Sequence, residues 1–180
     1  MKIANYLSLG ILLFITMISC SPRLTYFNKE MVKEYQWSEE DLKKIQFYLS
    51  EDLVLSRRLN TGESTIQSGK IKIVNGEKIE QVIIKKGTPG LLQFMPKEER
   101  YAISFDNSSP DKYLIFGTNP KMNSRIVLMG KEWDRRSGKV TYNNSVYDIS
   151  ANAAFSSLLV NLKRAKKVEE NTEYAKGNKL

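Results

Sequence analysis

Two hydrophobic periods divide the sequence after its first 36 residues. From Trp37 to Leu49 the apolar residues recur three and four positions apart, as on one face of a helix. Ser38 is a suitable N-cap, and the acidic residues 39–41 lie where the helix dipole favours negative charge. From about Asp52 apolar and polar residues alternate, which is the period of a half-buried strand. The pattern predicts one helix followed by a series of strands.

Short alternating segments, separated by turns rich in Gly, Pro and Asn, continue through most of the chain. Pro96 is predicted to end one of these segments, and residues 117–120 to end another. Asn143-Asn144 is predicted to turn the chain so that the segment 145–149 returns on the one before it. The predicted strands are Leu53–Leu59, Ser64–Ser68, Lys70–Val74, Lys78–Lys86, Leu91–Phe94, Tyr101–Phe105, Lys112–Phe116, Arg125–Met129, Lys139–Tyr142 and Ser145–Ile149. We expect a mainly β (α+β) fold, an antiparallel β-barrel or sandwich of roughly seven to nine short strands with the one N-terminal helix packed on it.

The hairpin around Asn75-Gly76 has two possible registers. A two-residue loop places Ile71 beside Glu80, whereas a three-residue loop pairs Ile71 with Ile79. A slip of one residue moves every side chain to the other face of the sheet. We therefore predict the three-residue loop, with Gly76 in the left-handed conformation.

The C-terminal segment 150–163 fits both a helix and a strand. We predict a short helical start and then a strand at about Leu158–Arg164, beside Leu53–Leu59. The polar tail, 166–180, is expected to fray. Residues 37–165 are thus predicted to form a single domain, because their length suits one core.

The first twenty residues have the organisation of an export signal. Lys2 gives a positive start, Leu7–Ile18 is an almost unbroken apolar run, and the small Ser19 precedes Cys20. The apolar run is shorter than the roughly 20 residues that a spanning helix needs. Export with removal of residues 1–19 is therefore the expected outcome.

The end of this run, Met17-Ile18-Ser19-Cys20, resembles the lipobox of bacterial lipoproteins. The resemblance implies that Cys20 is acylated and becomes the first mature residue, so that palmitate anchors the protein to a lipid bilayer. Residues 20–36 are then a lipidated tether, with one or two loose helical turns between Phe27 and Tyr35. Ser21 stands where an inner-membrane retention Asp would lie, which favours the outer membrane and a periplasm-facing location. The rest of the chain resembles small exported lipoproteins of unknown role.

Composition narrows the chemistry of the mature chain. The sequence contains no histidine, so the commonest general base and metal ligand is missing. Its single cysteine leaves no intrachain disulfide to support the fold. The formal net charge of +8 favours anionic partners. We expect no enzyme activity, no cofactor and no metal.

The segment 121–139 is the best candidate for an anion site. Trp133 lies among its basic residues, and an aromatic ring beside arginine or lysine offers stacking or cation–π contact to a ligand. The proposed anion-binding residues are Arg125, Lys131, Arg135, Arg136 and Lys139. Nucleic acid is not expected outside the cytoplasm, so an anionic glycolipid or peptidoglycan carboxylate is the better ligand.

The sequence offers two weaker candidate sites, an aromatic patch and a set of possible hydrolase residues. An exposed aromatic patch for a protein partner would comprise Tyr113, Phe116, Trp133, Tyr142 and Tyr147, although core packing is the better explanation for most of these residues. A histidine-free hydrolase would need a pair such as Ser137 with Lys139, or carboxylates such as Glu98-Glu99 or Asp106 with Asp111.

Three functions therefore remain open from the sequence. The leading hypothesis is a non-catalytic, lipid-tethered domain that binds or scaffolds another envelope component, most simply a protein. The second is binding of an anionic envelope polymer or glycolipid through the basic segment. The third and weakest is the hydrolase.

Overall fold

A computed structural model describes residues 23–59, 69–74 and 76–170, of which Glu169 and Glu170 are described by their backbone alone. The strands are β1 Thr25–Tyr26, β2 Gln46–Leu49, β3 Leu53–Arg58, β4 Lys70–Val74, β5 Glu77–Ile84, β6 Pro89–Lys97, β7 Arg100–Ser104, β8 Tyr113–Asn119, β9 Arg125–Leu128, β10 Ser137–Tyr142, β11 Ser145–Ser150 and β12 Leu158–Val160. The α-helices are α1 Lys29–Glu34, α2 Glu39–Lys44, α3 Leu162–Ala165 and α4 Lys167–Glu170, and the 3-10 helices are Pro120–Met122 and Ala151–Phe155.

These strands form two antiparallel sheets, which confirms the prediction of a mainly β fold. The larger sheet has seven strands in the order β1-β12-β2-β6-β7-β8-β9, and the smaller has five in the order β10-β11-β3-β5-β4. The edge strands β9 and β1 of the larger sheet meet through an isolated bridge between Arg125 and Asn28, and through Ile126 N–H donating to Phe27 O at 3.0 Å. The arrangement is sandwich-like, and the larger sheet is curved without closing into a barrel.

One part of the hydrophobic core is a cluster of aromatic rings that pack on the larger sheet. Phe27 is fully buried, and its ring centroid lies 5.1 Å from that of Phe47 and 5.7 Å from that of Tyr101. The four consecutive β7 residues 101–104 are all buried, so both faces of this strand are covered. Strand β7 is therefore at the centre of the packing.

The predicted helix from Trp37 to Leu49 is correct only in its first half. Helix α2 begins with a capping box, in which Ser38 and Asp41 each bond to the other's backbone N–H. It ends at Lys44, and the following segment becomes β2, which pairs with β6 and β12. Phe47 and Leu49 are buried two positions apart, the strand period, and tertiary pairing overrides the helical spacing of the apolar residues here.

The 74–77 hairpin exists, but its predicted register is wrong. Ile71 pairs with Glu80 and Val74 with Glu77, which is the register of the two-residue loop. Gly76 has a positive φ of 80°, as predicted. The burial of one sheet face fixes the register of a hairpin only when both strands have a buried face. Every residue of β4 is exposed, so burial does not favour the three-residue loop here.

Three further strand predictions need correction. Strand β6 continues through Pro96 to Lys97, past two irregularities in its pairing with β7, and β8 continues through Gly117 to Asn119. Strand β12 lies between β1 and β2 in the larger sheet rather than beside Leu53–Leu59. The predicted strand Ser64–Ser68 lies outside the described residues. By contrast, Asn143-Asn144 forms the expected turn, with Tyr142 paired to Ser145.

The folded body extends beyond both predicted boundaries. Thr25 pairs with Val160, and Phe27 belongs to the core, so the second half of the predicted tether 20–36 is part of the domain. At the other end, α4 continues the fold to Glu170, and Val168 packs against the core, so the tail 166–180 does not begin at Lys166. None of the helices in the described ranges has the length and apolarity needed to cross a bilayer.

Candidate functional site

The structure separates the five predicted anion-binding residues into three places. Arg125 begins β9, and its guanidinium carbon lies 3.8 Å from the centroid of the Tyr26 ring. Lys131 and Lys139 form a bridge on the side of the smaller sheet, whereas Arg135 and Arg136 occupy the exposed loop between them. The basic segment is therefore not a single patch.

The loop that carries the two arginines is held by its own side chains. The Trp133 ring packs against the backbone of Gly130 and Gly138, where an added Cβ would overlap the ring. The Asp134 carboxylate accepts hydrogen bonds from the N–H groups of Arg136 and Ser137, both at 2.6 Å, and these bonds hold the pKa of Asp134 below its ordinary value. Trp133 is thus a support for the loop more than an exposed ligand contact.

Segment 129–131 joins the two sheets. Met129 N–H donates to Ile115 O of β8 at 2.8 Å. Two residues later, Lys131 N–H donates to Lys139 O at 2.8 Å, and Lys139 N–H donates back to Lys131 O at 2.9 Å. Residues that exchange both bonds lie directly opposite each other, so the two lysine side chains emerge side by side.

A groove of about 620 Å³ opens beside this junction, with walls from both sheets. Its volume is within the range of small-ligand sites. Its wall combines apolar and cationic side chains: Phe94, Pro96, Arg100, Tyr113, Ile115, Met129, Lys131, Lys139, Val140 and Val146, with Gly130, Glu132 and Thr141. It is the place where the basic segment meets an apolar surface.

The charge of the groove is positive, and part of it is uncompensated. Lys139 Nζ lies 2.5 Å from Glu132 Oε2, and this hydrogen bond raises the pKa of Lys139. Lys131 and Arg100 make no ion pair within the described part of the chain. The Arg100 guanidinium instead rests over Gly117, where a Cβ would overlap it. Among its charged lining residues, the groove wall therefore has three cations and one carboxylate, that of Glu132.

The aromatic part of the groove wall comes from the larger sheet. Phe94 is 38% exposed, and its ring makes an edge contact with Tyr113, with centroids 5.1 Å apart. The pairing irregularities on either side of Phe94 re-aim its side chain, as bulges do. Tyr113 is the only groove residue from the predicted aromatic patch; Phe116, Tyr142 and Tyr147 are buried in the core, so that patch is not formed.

Four of the six groups proposed for a hydrolase, Ser137, Lys139, Glu99 and Asp106, make other contacts. Ser137 hydrogen-bonds to Asp134 while Lys139 pairs with Glu132. Lys29 pairs with Glu99. Asp106 accepts from Lys112 Nζ at 2.7 Å, and the hydrogen bonds from Lys112 and Ser108 lower its pKa to about 2.

The described ranges contain no group of three or more His, Cys, Asp or Glu residues placed to hold a metal ion.

Sequence reasoning missed Arg100 and Phe94. Both lie outside the basic segment, and only the pairing of β6, β7 and β8 brings them to Lys131. Cys20, the predicted lipidation site, lies outside the described residues. Comparison with protein-family models, curated proteins and solved structures finds no match for this chain.

Proposed function

We propose that this chain is a lipid-anchored envelope lipoprotein whose β body binds another envelope component without catalysing a reaction. The groove between the two sheets is its binding site, and the partner is a protein of the same envelope. The anchor is the acylated Cys20, and the location is the outer membrane, facing the periplasm. The observation that carries the proposal is the presence, in one groove, of two cations without ion pairs in the described residues and of the ring contact between the exposed Phe94 and the half-buried Tyr113.

The chemistry of the groove suits a peptide segment that carries both an acidic and an apolar residue. Arg100 offers a planar donor fork and Lys131 a mobile ammonium, and both bind carboxylates well. Phe94, Tyr113 and Val146 supply apolar surface next to these charges. Aromatic residues and arginine are also the residue types that dominate binding energy at protein interfaces.

A second candidate ligand is an anionic polymer or glycolipid, and the arginine loop is the observation that favours it. Arg135 and Arg136 are exposed on a loop fixed by Trp133 and Asp134, so two guanidinium groups project from a rigid support. Such a polymer would follow the surface from the loop to Lys131, with strong salt dependence. Replacing both arginines with Ala separates the two candidates, because it removes salt-sensitive polymer retention and leaves a protein complex intact.

The anchor itself is tested by metabolic labelling. Labelled palmitate should enter the wild-type protein and not a Cys20→Ser variant. The amount of the variant in outer-membrane fractions should also be lower than that of the wild-type protein. A wild-type protein without palmitate, or equal outer-membrane fractionation of both forms, would remove the lipoprotein proposal.

A further inference from the structure

The point at which the chain enters the fold constrains how the body meets a bilayer. Arg23 is the first described residue and is exposed, and only Ser21 and Pro22 separate it from Cys20. Three Cα–Cα steps span at most about 11 Å. If Cys20 carries the acyl chains, the start of β1 is therefore held close to the lipid head groups.

Strand pairing also brings the C-terminal helices close to the start of β1. Thr25 pairs antiparallel with Val160, so the chain enters β1 and leaves β12 at the same end of the ladder. Asn161 caps α3 by accepting from Arg164 N–H, and Lys163 and Arg164 lie exposed in that helix. The tether and the first turns after β12 are neighbours, although far apart in sequence.

The charged side chains in the two segments at this end of the ladder are basic. In the ranges 23–26 and 161–167, every ionisable side chain except Tyr26 is basic. Tyr26 is 40% exposed, and the Arg125 guanidinium stacks on its ring. We name this surface the exit face, and define it by Arg23, Tyr26, Arg125, Lys163 and Arg164.

Building on the proposed lipid anchor, we propose that the exit face binds anionic lipid head groups and fixes the orientation of the body on the membrane. Basic side chains near an anionic bilayer each gain attraction that decays within a Debye length, about 8–10 Å at physiological salt. The short tether limits Arg23, the exit-face residue nearest to Cys20, to about 11 Å from it, a distance comparable to that range. Tyrosine is also a residue type that settles at the membrane–water interface.

This contact gives Arg125 a role different from that of the other four predicted anion-binding residues. It belongs to the exit face through Tyr26, whereas Lys131 and Lys139 belong to the groove. The lipid contact and the partner site then use different cations of one basic segment.

A single-thiol quenching experiment tests the proposal. Since Cys20 is the only cysteine and its sulfur is blocked by acylation, a Lys163→Cys substitution introduces one reactive thiol for a fluorescent probe. The matched control is Lys72→Cys, an exposed lysine on edge strand β4 of the other sheet. Both proteins are acylated, shown by palmitate labelling, and placed in vesicles of phosphatidylcholine with or without about one-third phosphatidylglycerol, with a quencher on the head groups.

We expect at least threefold stronger quenching at position 163 than at position 72 in the anionic vesicles. This difference should shrink in pure phosphatidylcholine and in high salt. Equal quenching at both positions, or quenching at 163 that ignores lipid charge, would overturn the exit-face proposal while the palmitate label leaves the anchor intact. Absence of palmitate would overturn the anchor and this inference together.

Discussion

Lys131 and Lys139 lie directly opposite each other and exchange two backbone hydrogen bonds, of 2.8 and 2.9 Å, so that two like charges stand side by side in the groove wall. Like charges in opposite positions disfavour the pairing of two strands. Glu132 neutralises Lys139 but leaves Lys131 without an ion pair within the described residues. The repulsion between the two lysines is thus offset on one side only, and an anionic group bound beside Lys131 would offset the other charge.

A Lys131→Ala variant should bind anionic aromatic ligands more weakly. The probe 8-anilinonaphthalene-1-sulfonate combines a sulfonate with aromatic rings, and fluorescence titration measures its affinity. Loss of one charge-assisted contact is worth about 1.5–3 kcal/mol, so we expect at least a tenfold rise in Kd. Lys121→Ala removes the same charge outside the groove and should leave Kd unchanged. Equal effects of the two variants would show that the probe responds to net charge alone.

Because the Trp133 ring packs against Gly138, a larger residue at position 138 should lower the stability of the protein. In Gly138→Ala the new Cβ would overlap the Trp133 ring, so the ring must move or the strand must shift. Overpacking of this kind costs about 1–3 kcal/mol of unfolding free energy. Urea unfolding measures the loss, and a red shift of tryptophan emission reports displacement of the ring. Thr141→Ala, exposed on the same strand, is the control; a similar loss there would mean that the contact is unimportant.

Arg57 and Arg58 each pair with a glutamate, but replacing them should lower the unfolding free energy by very different amounts. Arg57 Nε lies 2.7 Å from the fully buried Glu80, whereas Arg58 pairs with Glu77 at the surface. Burial lowers the pKa of Arg57, but the hydrogen bond and charge of Glu80 outweigh it and raise the pKa overall. Arg57→Ala leaves a buried carboxylate without its cation and should cost about 3–5 kcal/mol.

The matched Arg58→Ala variant should cost less than about 1 kcal/mol, because exposed ion pairs contribute little. Urea unfolding of both variants gives the comparison. Similar losses for the two arginines would contradict the assignment of Glu80 to the interior.

Alkaline pH should unfold the protein through its buried tyrosines. Burial raises the pKa of Tyr101 from 10.0 to about 12, with smaller contributions from the charges of Glu99 and Glu98. Because the folded-state pKa is the higher one, this stability is fully present below pH 10 and is lost as pH rises towards 12. Two pKa units correspond to about 2–3 kcal/mol.

The test is the unfolding free energy of Tyr101→Phe between pH 9 and pH 12. The variant should lose less stability over this range than the wild type, since one ionising group has been removed. Tyr113→Phe, a half-buried residue of the groove, is the control. Identical pH profiles for wild type and Tyr101→Phe would refute this source of the alkaline transition.

The sequence predicts local elements well and long-range placement poorly. The Ser38 cap, the Asn143-Asn144 turn and most strands depend on neighbouring residues, and these predictions are confirmed. The hairpin register and the position of β12 depend on which faces become buried, and those faces are set by distant strands. Arg100 and Lys131 line one groove because distant strands pair, so no local pattern in the sequence could have predicted that they lie together.

We propose that the groove between the sheets contacts a partner protein in the envelope, and cross-linking from inside the groove would detect that contact. Val146 lines the groove with its side chain 59% exposed, so a photo-reactive amino acid at this position would reach a bound ligand. Ile73, 71% exposed on β4, is the matched position outside the groove.

In irradiated intact cells, we expect one discrete protein adduct from position 146 and none from position 73. The adduct should be lost when Arg100 and Lys131 are both replaced by Ala. The same adduct from both positions, or an adduct that survives the double replacement, would contradict the proposed contact.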